Sequence, residues 1–118
     1  MKRMLEAILA ASTSGRSAML CTIVSRRGTT PRGVGTAMVV DENGAQIGTV
    51  GGGEAEHQVK QDALALLREN VSALRSYAIH PGEGEGCAVS GGEIDVLLRL
   101  FTGESARKLA ERALEVLD

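Results

Sequence analysis

Short apolar runs in this chain end, one after another, in turns dense with glycine. Ala18–Ser25 leads into Gly28-Thr29-Thr30-Pro31-Arg32-Gly33-Val34-Gly35, and Ala45–Val50 leads into Gly51-Gly52-Gly53. Such punctuation limits the chain to short strands and helices joined by tight turns, because glycine permits positive φ and close backbone approach. Backbone N–H groups in turns of this kind converge on anions. Arg26, Arg27 and Arg32 around the first turn add planar forks suited to phosphate. The pattern points to an anionic, phosphate-bearing small molecule.

Periodicity supplies the elements between the turns. Met4, Leu5, Ile8 and Leu9 have helical spacing, so residues 3–13 read as a helix ended by Ser14-Gly15. The continuous, β-branched run 18–25 reads as a buried strand. Residues 36–41 and 45–50 form a hairpin about Glu42-Asn43-Gly44, with Asn-Gly as its turn signal. A helix over 54–70 follows, with Ala55, Val59, Ala63, Leu66 and Leu67 on its apolar face and Asn70 as its stop. Strands over 73–79 and 93–100 flank a glycine-rich, acidic loop over 80–92. Thr102 caps a last helix, whose buried stripe is Ala106, Leu109, Ala110, Ala113, Leu114 and Leu117. The expectation is a small α/β domain of about five strands and three helices, with glycine-rich loops at strand ends that can meet at one end of the sheet.

At 118 residues the chain is one domain by size. Tyr77 and Phe101 are its only aromatic residues, so the core is aliphatic and there is no ring platform for single-stranded nucleic acid. A net charge of −2 gives no general attraction to nucleic acid either. No apolar stretch is long enough to span a membrane, and the expected location is the cytoplasm. Two cysteines do not make a disulfide framework. Cys21, inside an apolar run, is expected to be buried. Cys87, among glycines and acids, is expected to be accessible. Glu83 and Glu85 near it raise a thiol pKa rather than lower it. His57 and His80 lack the company a zinc site needs.

The turns carry two readings each. Gly51-Gly52-Gly53 before a helix is an anion site in principle, or a tight strand-to-helix turn whose dipole Glu54 and Glu56 already satisfy. It matches neither the dinucleotide fingerprint nor the P-loop. Thr29-Thr30-Pro31-Arg32-Gly33 gathers hydroxyl, guanidinium and backbone donors, or is a solvated loop. No catalytic triad, nucleophile elbow or paired catalytic carboxylate is evident.

The order of motifs resembles the N-terminal domain of the XdhC/CoxI family, accessory proteins of xanthine dehydrogenase and related molybdenum hydroxylases. The carriers are Val24–Gly35, Met38-Val39-Val40, Gly48–Gly53 with Glu56, and Gly91-Gly92-Glu93-Ile94-Asp95-Val96. The resemblance implies binding of the molybdenum cofactor (molybdopterin), support of its sulfuration, and its insertion into an apo-hydroxylase, without catalysis by the chain itself. It implies Thr29, Thr30, Arg32, Gly33, Gly51, Gly52, Gly53, Glu56, Cys87, Gly91 and Gly92 as cofactor-binding residues. A xanthine dehydrogenase-like client, a cysteine desulfurase and a separate Rossmann-domain subunit are the implied partners, together with a homodimer.

The sequence departs from the family pattern. Glu54 stands where many members carry a cysteine after the glycine triplet, and Ser90 replaces the cysteine before the later Gly-Gly. Cys87, three residues earlier, is the candidate replacement. The family's C-terminal Rossmann-like domain is expected to be absent from residues 1–118. The alternatives are a small nucleotide-binding enzyme or regulator, and an oligomerisation module whose glycine turns serve packing alone.

Overall fold

β-branched and aliphatic runs place the strands, and glycine or asparagine ends the helices. The computed structural model describes residues 1–81 and 91–117. Its elements are α1 (Lys2–Thr13), β1 (Ala18–Gly28), β2 (Ala37–Asp41), β3 (Gln46–Gly48), α2 (Gly53–Glu69), β4 (Ala73–Ile79), β5 (Gly92–Phe101) and α3 (Gly103–Leu117). The strands form one sheet in the order β3-β2-β1-β5-β4, and every neighbouring pair is antiparallel. The domain is thus α/β in content, as the sequence implies, with an antiparallel sheet.

Alternation along the strands splits the core in two. Met19, Cys21 and Ile23 of β1, Met38 and Val40 of β2, and Ile94, Val96 and Leu98 of β5 face α2. Ala55, Val59, Ala63 and Leu66 meet them from the helix. Fully burying one such Leu, Ile or Val stabilises by about 1.5–3 kcal/mol. On the other face, Ala18 and Val39 pack with Ile8 and Ala11 of α1 and with Ala110 of α3. Tyr77 Oη donates to Asp62 Oδ2 at 2.6 Å and ties β4 to α2. Burial and that carboxylate together push the phenol above its ordinary range.

Two features differ from the sequence expectation. First, β1 runs on to Gly28, so Arg26 and Arg27 lie in a strand rather than in the loop. The register against β5 shifts between Ile23 and Ser25, a bulge at Val24. One extra residue turns the following side chains to the opposite face. Ser25 thereby pairs with Asp95 on the face away from α2, although Ile23 points toward α2. Second, Leu109 and Leu117 of α3 are exposed, at 48% and 53%. This helix packs on α1 through the small Ala106 and Ala110, which leaves no depth for its full stripe. Thr102 stands immediately before α3, and its Oγ1 lies 2.6 Å from Ser17 Oγ, linking the start of α3 to the start of β1.

At the turns, Asp41 holds the hairpin by accepting from Asn43 and Ala45 N–H at 2.9 and 3.0 Å. Asn70 ends α2 in the left-handed region at φ 61°, with its N–H on Leu66 and Leu67 carbonyls. No helix among the described residues is long and apolar enough to cross a membrane.

Cys21 is 0% exposed, and burial pushes its thiol up to about 12. A thiol reagent should therefore leave Cys21 unmodified in native buffer and label it only as denaturant opens the domain. Peptide mapping by mass spectrometry checks this, and native-state labelling of Cys21 would contradict the burial of β1.

Candidate functional site

Three glycine-bearing segments converge at one end of the sheet, where β1 ends, β3 gives way to α2, and β5 begins. The middle segment is the loop after Gly28. Thr30 Oγ1 donates to Arg32 O at 2.9 Å, Thr36 N–H to Gly33 O at 3.2 Å, and Gly35 N–H to Ile23 O at 2.8 Å. These bonds fold residues 29–35 back on the strand. Pro31, with its fixed φ, stiffens the turn.

Gly51 lies directly against that loop. A Cβ on Gly51 would stand 3.0 Å from Pro31 Cβ and 3.6 Å from Arg32 Cγ, and its φ is +126°. On the other side, a Cβ on Gly28 would stand 2.8 Å from Gly91 O, and one on Gly92 would stand 2.8 Å from Arg27 O. Thr29 N–H donates to Gly91 O at 3.4 Å. The segment Thr29–Arg32 is therefore a bridge between the glycine triplet and the start of β5. Gly51 and Gly92 lack side chains because neighbouring chain fills the space.

Glu56 organises the glycine triplet. Its Oε1 accepts from Val50 N–H at 2.9 Å, from Gly52 N–H at 3.0 Å and from the Thr49 hydroxyl. Oε2 accepts from Gln46 Nε2 at 3.1 Å, and Gly51 N–H donates to Thr49 Oγ1 at 3.0 Å. Burial raises the Glu56 pKa, but the hydrogen bonds from Thr49, Val50, Gly52 and Gln46 together outweigh it and leave it below the usual value. Val50 is only 2% exposed. Leaving such a buried amide without an acceptor costs about 1–3 kcal/mol.

Arg27 is committed elsewhere. It pairs with Glu93 and, at 3.0 Å, with Asp95 Oδ2, whose carboxylate also accepts from Ser25 and Ser76 hydroxyls. Arg27, then Ser25 and Ser76, hold Asp95 far below the usual carboxylate range. Sequence reasoning missed this cluster, because the bulge that assembles it leaves no local signal.

Of the expected site residues, the structure brings together Thr29, Thr30, Arg32, Gly33, Gly51, Gly52, Gly53, Glu56, Gly91 and Gly92 at this end. Cys87 lies outside the described residues. Among those residues no group of three His, Cys, Asp or Glu side chains is placed to hold a metal ion. Two cavities, of about 240 and 410 Å³, lie at the far end of the sheet, one by Phe101 and Leu109, the other by Ser17 and Asn70.

A model of the XdhC and CoxI family matches residues 11–78, more than half of the chain. The chain belongs to that family. The matched span takes in the Thr29–Gly33 loop, the glycine triplet and Glu56. A crystal structure from Bacillus halodurans, described as a xanthine dehydrogenase, superposes with a TM-score of 0.76 at 22% identity. That likeness shows the fold. It covers 96% of this chain and 34% of that one, so the family domain here spans about a third of its neighbour's length. No curated protein matches the sequence.

Gly51 should tolerate no side chain. Gly51→Ala combines an unfavourable φ with contact on Pro31, and is expected to lower stability by about 1–3 kcal/mol. Chemical denaturation measures it, and an unchanged midpoint would contradict the contact between the two loops.

Proposed function

We propose that the Thr29–Gly33 loop and the start of α2 hold the molybdenum cofactor, and that the chain protects it and delivers it to a xanthine dehydrogenase-type hydroxylase. The observation that carries this reading is the convergence of the glycine segments on the Thr29–Arg32 bridge, with that bridge and the glycine triplet inside the span matched by the family. Arg32 is half-buried against Gly51, and Thr29 and Gly33 are exposed beside it. A guanidinium with neighbouring hydroxyls and bare backbone suits a phosphate and the polar rim of a flat ring system.

The donor set fits the phosphate and pterin parts of the cofactor. It does not supply a sulfur ligand from the described residues, since Cys21 is fully buried on the α2 face. When bound, the cofactor would supply the redox chemistry of the client enzyme. The chain's own part is to bind and orient. Arg32 pairs with the phosphate, Thr29 offers a hydroxyl, Thr30, whose proton goes to Arg32 O, offers an accepting oxygen, and Gly33 and Gly53 let the ligand approach the backbone. Sulfur supply by a cysteine desulfurase, handover to the hydroxylase and pairing with a second copy belong to the same proposal.

Protein purified from a molybdate-replete host and then denatured should release a fluorescent pterin. Nucleotide without pterin, or no ligand at all, would overturn the reading. Arg32→Ala should weaken pterin binding by about 1.5–3 kcal/mol with the thermal midpoint nearly unchanged, the scale of a charge-assisted hydrogen bond. Equal affinity in a titration would remove Arg32 from the site.

A further inference from the structure

A glycine triplet at a helix N-terminus reads as a place for a ligand's anion, yet here the anion is built in. Val50 N–H, Gly52 N–H and the Thr49 hydroxyl all point to Glu56 Oε1, and Gln46 holds Oε2. Between them, Gly51 N–H goes to Thr49 Oγ1. A carboxylate presenting one oxygen to convergent amides does what a phosphate oxygen does in a backbone nest. It is covalently tethered, so it carries none of the association entropy that a free anion must overcome.

The consequence runs through Gly51 to the neighbouring loop. With Val50 and Gly52 both fixed on Glu56, Gly51 between them is held against Pro31 and the Arg32 stem. We propose that Glu56 is a positioning residue whose carboxylate fills the nest of the second glycine turn, excludes a ligand phosphate from it, and sets Pro31–Arg32 in place for the ligand. Its first two parts stand on the hydrogen bonds alone, and the last rests on the cofactor-binding reading above. A ligand's anionic group is then directed to Arg32 and not to the triplet.

The test uses the full-length chain, labelled with ¹⁵N, as wild type, Glu56→Gln and Glu56→Ala. Titration of the wild type with inorganic phosphate should leave the Val50, Gly51 and Gly52 amide signals in place, and phosphate-induced movement of Val50 or Gly52 would overturn the proposal. Glu56→Gln keeps an acceptor oxygen but loses the charge, so both amide signals should shift upfield. Unmoved signals would show that Glu56 does not hold them. Pterin retention should fall by about tenfold in Glu56→Ala and by less than about threefold in Glu56→Gln, at matched folded fractions. Equal retention in all three proteins would overturn the positioning role. If Glu56→Ala does not fold, Glu56→Asp takes its place, because a carboxylate one methylene shorter cannot reach the same amides and should lose retention likewise. A wild type without pterin would defeat the cofactor reading, and the amide signals would still decide whether Glu56 fills the nest.

Discussion

Backbone amides at the start of a helix have no partners within the helix, and the glycines before α2 add more donors that no side chain shields. Glu56 resolves this from inside the same helix. One carboxylate oxygen gathers Val50, Gly52 and Thr49, and the turn closes on it. Everything else at this end of the sheet depends on where that turn lies. Gly51 receives Pro31, the loop carrying Arg32 is thereby positioned, and its other flank lies against Gly91 and Gly92.

The same arrangement assigns different work to different glycines. Gly51 and Gly92 are bare so that protein can pack on protein. Gly33, with nothing within 4 Å of a would-be Cβ, leaves room at the exposed side. The arginines divide likewise. Arg27 is held by Glu93 and Asp95 on the face away from α2, whereas Arg32 lies between the glycine turns.

Much of this was legible in the sequence, because the strongest signals are local. The run around Cys21 is apolar on both faces of a central strand, Asn70 stops a helix, and the glycines mark the strand ends. What was not legible is non-local. Arg26-Arg27-Gly28 reads as loop, but pairing with Glu93-Ile94 and Gly92 extends the strand through it. The bulge at Val24 shows only in the register, and it decides that Ser25 and Arg27 meet Asp95. Leu109 has helical spacing for burial, yet the close packing of α3 on α1 through alanines leaves it exposed. Glu56 was visible as an acid in the first turn of α2. With Ala55 at the position where a capping box carries Glu or Gln, no standard spacing marked it as the residue that closes the turn.

Glu56 and Pro31, which share no side-chain hydrogen bond, are energetically linked through Gly51. A double-mutant cycle on folding stability with Glu56→Ala and Pro31→Ala measures that link. A coupling of about 0.5 kcal/mol or more is expected, since residues sharing a packed intermediary are non-additive. Strict additivity of the two substitutions would contradict it.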